Sequence, residues 1–125
     1  MDITPLVPAE RQIIRGYGGG GFRVAGAVYR GSILVMPAIT RPWPVTAPSD
    51  ADLENLAPIL DAAAAIELLL LGCGRRGGMV SPALRQELRA RGVVLDVMDT
   101  GAACRTYNVL LAEDRGVAAA LIAVE

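Results

Sequence analysis

Residues 66–71, IELLLL, form a nearly continuous apolar run in which Glu67 is the sole charge, and they are followed at once by Gly72-Cys73-Gly74. A strand with apolar residues at successive positions has no polar face to give to water, so both of its faces must be covered by other elements. The downstream pattern supplies the cover. Ser81-Pro82 opens a helix through ALRQELRARG that Gly92 closes, and VVLDVMD at 93–99 reads as another strand. Thr100 then caps a helix through AACRTYNVLLAE, Gly116 ends it, and VAAALIAV forms the last strand. Such a β-α-β-α-β succession predicts a small parallel sheet with right-handed crossovers.

The first third differs. Short runs rich in Ile, Val, Tyr and Phe within residues 11–37 are cut by Gly18 to Gly21, Gly26 and Gly31, the signature of antiparallel β-hairpins. The four-glycine run supplies positive φ in a turn, and it lacks the Lys and Ser or Thr that a phosphate-cradling Walker loop requires. Pro42 and Pro44 flank Trp43 in an extended connector, with the indole capping the core. Ser49 and Asp52 resemble a capping box for a helix through DADLENLAPILDAAA, which Pro58 should break or kink. The fold class expected is α/β, an N-terminal antiparallel β-hairpin region joined to a small parallel sheet. At 125 residues the chain is read as one domain, 1–125.

Composition narrows the chemistry. Hydrophobic residues make up 53% and charged residues 20%, which excludes disorder and leaves a homo-oligomer open. There is no His, so Ser-His and Cys-His catalysis within the chain is excluded, and the commonest metal ligand is missing. All 12 basic residues are Arg, and the net charge of −1 argues against duplex nucleic acid as a partner. Cys73 and Cys104 fit neither a disulfide framework nor a zinc pattern. No apolar run is long enough to span a bilayer, and MDITPLVPAERQ lacks a secretory signal, so a cytoplasmic location is expected. Neither metal nor cofactor is predicted.

Gly72-Cys73-Gly74-Arg75-Arg76-Gly77 satisfies the G-x-G-x-x-G spacing of a dinucleotide-binding turn. A true fingerprint opens directly into a helix whose N-terminus holds the pyrophosphate, whereas Ser81-Pro82 places the helix start several residues beyond Gly77. A βα loop is the favoured reading. The position is still of interest, because ligands of parallel sheets bind outside the C-terminal strand ends. Cys73, Arg75, Arg76, Thr100, Cys104 and Arg105 would share that edge, where the first N–H groups of the Thr100 helix and a nearby Arg suit an anion. Structural packing competes with that reading at each position. Cys104, near a helix start and beside Arg105, is a candidate for a lowered pKa, with inert packing as its alternative. Asn108 lies mid-helix, where its propensity is poor, and is expected to bond a neighbouring loop.

The segment T-x-A-A-C-R-T-Y-N-x-L at Thr100–Leu110, the G-x-G at Gly72–Gly74, the glycine-rich hairpin and Trp43 resemble a small uncharacterised-domain family typified by a methanogen protein. That family includes mitochondrial assembly factor 3 of respiratory complex I and an adipogenesis-associated protein. The resemblance covers roughly residues 12–124 and implies a compact α/β fold with an added β layer and no established catalysis. It carries over to Gly72, Gly74, Thr100, Arg105, Thr106, Tyr107 and Asn108 as a pocket or partner-contact region. Where this chain has Cys73, the family usually has a small polar residue, which speaks against a shared hydroxyl-dependent chemistry. The function expected is a non-enzymatic accessory protein binding a protein partner in complex I assembly. The alternative is a binder of a small anionic ligand, or an enzyme, using the C-terminal strand-edge loops.

Overall fold

A computed structural model describes residues 11–62, 66–75 and 78–125. Among the described residues eight strands form two sheets. Strands β1 (Ile14–Gly18), β2 (Gly21–Val24) and β3 (Ala27–Arg30) make an antiparallel sheet of their own, while β4 (Ile33–Val35) and β5 (Thr40–Pro42) leave it for a second, five-stranded sheet. There they join β6 (Leu68–Gly72), β7 (Val94–Met98) and β8 (Val117–Leu121) in the order β5-β4-β8-β6-β7. The β8-β6-β7 part is parallel, as the β-α-β-α-β reading requires, and β4 pairs antiparallel with β8.

Period-two alternation explains the two-sided burial. Leu69 and Leu71 of β6, with Ala118 and Ala120 of β8, point to one face, where helix α2 (Pro82–Ala90) contributes Leu84 and Leu88 and the 43–59 segment contributes Trp43, Val45, Leu56 and Ile59. Leu70, Val117, Ala119 and Leu121 point to the other, against Tyr107 and Leu111 of helix α3 (Thr100–Ala112) and Phe22 and Val24 of the three-stranded sheet. The residues predicted to be covered on both faces are covered by two separate cores. Trp43 is buried and its Nε1 donates to the Asn55 carbonyl at 3.0 Å, so its polar edge is satisfied inside the core.

Three expectations need correction. The segment from residue 49, expected as a helix broken or kinked at Pro58, is a 3-10 turn, Pro48–Asp50, and a single-turn helix α1, Ala57–Leu60. Pro58 has no N–H for a helix running in from residue 50, so the chain starts anew beside it. The reciprocal cap is made by Asp52 and Asn55, each side chain accepting from the other's backbone N–H at 2.8 and 3.0 Å, while Ala47, not Ser49, precedes the 3-10 turn. Residues 63–65, the end of the expected helix, lie outside the described residues. Asp99, not Thr100, caps α3, its carboxylate accepting from Ala102 N at 2.8 Å. The same helix ends at Ala112, well before Gly116, and Asp114 takes the left-handed turn at φ 57. The Arg11 guanidinium holds that end, donating to Leu111 O at 2.6 Å and to Asp114 Oδ1 at 3.0 Å. For α2 the expected boundaries stand: Ser81 caps it and Gly92, at φ +84, terminates it.

Asn108 ties the two sheets' layers together. Its Oδ1 accepts from Ile14 N and its Nδ2 donates to Ile14 O, both at 2.9 Å, so one amide side chain stands in for a neighbouring strand along β1. Asn108→Ala leaves both Ile14 backbone groups without their partner and is expected to cost about 2 kcal/mol in urea unfolding. Faster hydrogen exchange at Ile14, with α2 unchanged, checks that the loss is local.

Candidate functional site at the strand-end edge

The loops after β6 and β7 and the end of β8 meet at one edge of the parallel strands. Gly72 ends β6 directly beneath the first turn of α3, where an added Cβ would sit 2.9 Å from Thr100 Cα, 3.0 Å from Leu121 Cδ2 and 3.1 Å from Thr100 Oγ1. Its carbonyl accepts from Ile122 N at 2.9 Å. Gly74 turns the chain at φ +90, a conformation that favours glycine, and faces Thr100 reciprocally. Thr100 N donates to Gly74 O at 3.0 Å, Gly74 N donates to Thr100 Oγ1 at 2.9 Å, and Thr100 Oγ1 donates to Ile122 O at 2.8 Å. The buried Thr100 hydroxyl thereby joins three parts of the chain.

The G-x-G motif is therefore a docking device for α3, a helix entering from the neighbouring strand. The helix following the glycines in sequence begins at Pro82, away from Gly72 and Gly74, as the Ser81-Pro82 signal predicts. Arg76 and Gly77 lie outside the described residues. At the α3 N-terminus, Thr100 N is held by Gly74 O, Ala102 N by the Asp99 carboxylate and Ala103 N by Asp99 O. Tyr17 of β1 closes over Gly101, where a Cβ would collide with the phenol oxygen. The Thr100, Ala102 and Ala103 donors of this helix start are engaged by the chain itself, with a carboxylate among their partners. The Arg75 guanidinium donates to Glu125 O at 2.8 Å, and Arg105 stays exposed. Sequence reasoning missed the capping role of Asp99 and the part played by Tyr17; an Asp immediately before the Thr100 helix was a legible capping signal, whereas the approach of Tyr17 is set by the fold.

The cysteines are brought to the same edge but to opposite faces. Cys73 packs in the core containing α2, its thiol donating to Met98 O at 3.1 Å, and Cys104 packs in the core beneath the three-stranded sheet. Both are free and buried. Burial pushes the Cys104 thiol up to about 12, Arg105 opposing the rise and Asp99 adding to it, so the lowered pKa considered for this residue is overturned. Cys73 is also raised, by burial first. Tyr107 is fully buried, its hydroxyl has no hydrogen-bond partner among the described residues, and burial raises its pKa as well. Thr106 is half-buried on the same helix.

A raised thiol pKa favours the protonated form in the folded chain. The stability it contributes is complete below the ordinary thiol value of 9.0 and is lost as pH rises toward the folded value of about 12. The melting temperature is therefore expected to fall between roughly pH 9 and 11, and Cys104→Ala should remove part of that fall. Labelling of native Cys104 by iodoacetamide at pH 8 should be at least about a hundredfold slower than in denaturant.

No helix among the described residues is long and apolar enough to cross a membrane, and no cluster of metal-binding side chains occurs among them. An uncharacterized protein of Rhodobacter capsulatus is 41% identical over 109 residues, 87% of this chain and 82% of its own. An NADH dehydrogenase [ubiquinone] 1 alpha subcomplex assembly factor 3 of Danio rerio is 36% identical over 110 residues, 88% of this chain, which spans 63% of that relative's length. The crystal structure of an outer membrane protein from Bartonella henselae superposes with a TM-score of 0.84 at 43% identity, over 94% of this chain and 98% of that one. The two sheets, the edge at Gly72–Gly74 and helix α3 all fall within residues 14–122, which match the model of a protein family of unknown function, DUF498/DUF598, and the chain belongs to that family.

Proposed function

We propose that this protein is a non-enzymatic accessory that binds a protein partner during assembly of a bacterial respiratory complex I, acting in the cytoplasm. The observation that carries the reading is the 36% identity, across 88% of this chain, to an assembly factor of NADH dehydrogenase. Because the chain spans 63% of that relative, the activity proposed is that of the shared domain. The edge geometry agrees: the backbone donors at Thr100, Ala102 and Ala103 and the Thr100 hydroxyl are spent on internal bonds, and both thiols are buried in their unreactive form. Such an edge serves as rigid scaffolding for surfaces elsewhere on the molecule.

The test is genetic and biochemical. Deletion of the chain in its native host is expected to reduce fully assembled NADH:quinone oxidoreductase on native gels, with subcomplexes accumulating. A tagged copy should recover oxidoreductase subunits from those subcomplexes. Normal levels of assembled complex in the deletion strain would overturn the proposal. A saturable thermal stabilisation by a small anionic metabolite, abolished by Arg105→Ala, would favour a ligand-binding role instead.

A further inference from the structure

The near-neutral net charge conceals a segregation along the chain. Between residues 11 and 49 the charged side chains are Arg11, Arg15, Arg23, Arg30 and Arg41, with no acid. Between residues 50 and 74 they are Asp50, Asp52, Glu54, Asp61 and Glu67, with no base. The three-stranded sheet is built wholly from the cationic block, and its register decides where the charges point. Gly21 pairs with Arg30, Arg23 with Val28, Gly16 with Arg23 and Gly18 with Gly21, so these six residues share one face. The opposite face carries Tyr17, Phe22 and Tyr29 and lies over α3.

The outward face is unusual in its contour. Three of its six positions are glycine, so the sheet surface is hollow there, forming an open trough of about 380 Å³ between Arg23 and Arg30. Neither guanidinium has a hydrogen bond or ion pair among the described residues. Val28, beside them, is 71% exposed. A sheet face that, among the described residues, has free arginines, an exposed apolar residue and no covering element offers a surface whose charge specifies carboxylates as the complement. The trough is too open to enclose a small ligand, which a pocket would bury on most sides. An extended polypeptide is different, since its backbone can lie against glycines that present no side chain. The acidic block of a second copy would meet the charge requirement, but it lies on a different part of the chain from the trough. Self-docking would need two different patches of the chain to be complementary at once, whereas a separate acidic segment needs only the trough.

We propose that the outer face of the β1-β2-β3 sheet docks an acidic segment of a partner protein, its carboxylates paired with Arg23 and Arg30 and its backbone laid on the glycine floor. This deepens the partner-binding reading above and rests on it. The probe is a fluorescein-labelled octapeptide alternating glutamate and alanine, titrated with the full chain and followed by anisotropy and by amide chemical shifts. Saturable binding is expected, with shifts concentrated at Gly16, Gly18, Gly21, Arg23, Val28 and Arg30, and weakening as salt is raised. The double variant Arg23→Gln/Arg30→Gln should weaken it by at least about tenfold, while Arg89→Gln on α2 should not. Gly16→Ala keeps every charge and raises the glycine floor. Its Cβ meets only Arg23 Nε and Nη2 at 3.7 Å, an ordinary contact, so the fold should be kept, checked by an unchanged melting temperature, while binding should weaken.

Binding unaffected by both variants would overturn the proposal. So would tighter binding of inorganic pyrophosphate at the same residues, which would mark a phosphate ligand, or a concentration-dependent oligomer dissolved by Arg23→Gln/Arg30→Gln, which would mark self-association. The two readings fail separately. A deletion strain with normal complex I alongside intact peptide binding removes only the assembly role, and a deletion defect rescued fully by Arg23→Gln/Arg30→Gln, with no peptide binding, removes only the trough.

Discussion

Gly72→Ala is expected to destabilise the protein by about 3 kcal/mol, the upper range for overpacking, because the new methyl meets backbone as well as side chains. The Thr100 Cα would lie 2.9 Å away and cannot yield unless the first turn of α3 lifts from the sheet. Leu121 Cδ2, at 3.0 Å, blocks the lateral escape, since Leu121 is itself fully buried. Urea unfolding should show a lower midpoint with an unchanged slope, as the native and unfolded surfaces stay the same in extent. A change below about 1 kcal/mol would show that the helix can shift freely and that the glycine is not what permits the close approach. Gly26→Ala offers the contrast: its added Cβ meets nothing within 4 Å and its φ lies outside the left-handed region, so little loss is expected.

Thr100→Val should cost about 2–4 kcal/mol despite its nearly equal volume. The substitution removes the acceptor for Gly74 N and the donor to Ile122 O in a fully buried position, leaving two polar groups unpaired away from water. Thr100→Ser keeps the hydroxyl and loses one methyl, so it should cost only about 1 kcal/mol. Thermal denaturation of the three proteins separates the hydrogen-bond contribution from the packing contribution. Combining Gly72→Ala with Thr100→Val should give less than the sum, because both disturb the same contact between β6 and α3. Strict additivity would mean that the glycine and the threonine act independently.

The elements most legible in the sequence were those whose signals are local. IELLLL could only be a strand buried on both sides, and Ser81-Pro82 with Gly92 marked α2 at both ends, because capping and φ preferences act within a few residues. The same locality misled at Thr100. A threonine before an apolar run is a good cap, but Asp99 takes that role once the Thr100 hydroxyl finds Gly74 and Ile122, partners 26 and 22 residues distant. Asn108 was readable as a residue out of place in a helix that should bond a neighbouring loop; that the partner is Ile14 of strand β1, 94 residues away, depends on β1 crossing α3. At Cys104 inert packing and an activated thiol were both open. Its neighbours in sequence suggest an activated thiol, and burial under the three-stranded sheet reverses the sign.

The chain alone determined that its last three strands would run parallel with crossover helices between them, that α2 would start at Ser81-Pro82, that no histidine is available for catalysis, and that a glycine pair would end β6. Those follow from side-chain periodicity and backbone preference, which each residue carries wherever it sits. Tertiary structure decided the rest: the departure of β4 and β5 to a second sheet, the use of Gly72 and Gly74 to seat α3, the placing of the two thiols on opposite faces, and the gathering of Arg23 and Arg30 on one open face. Each of these depends on which distant segments share a surface, and that is settled by burying apolar area and satisfying buried polar groups over the whole molecule at once.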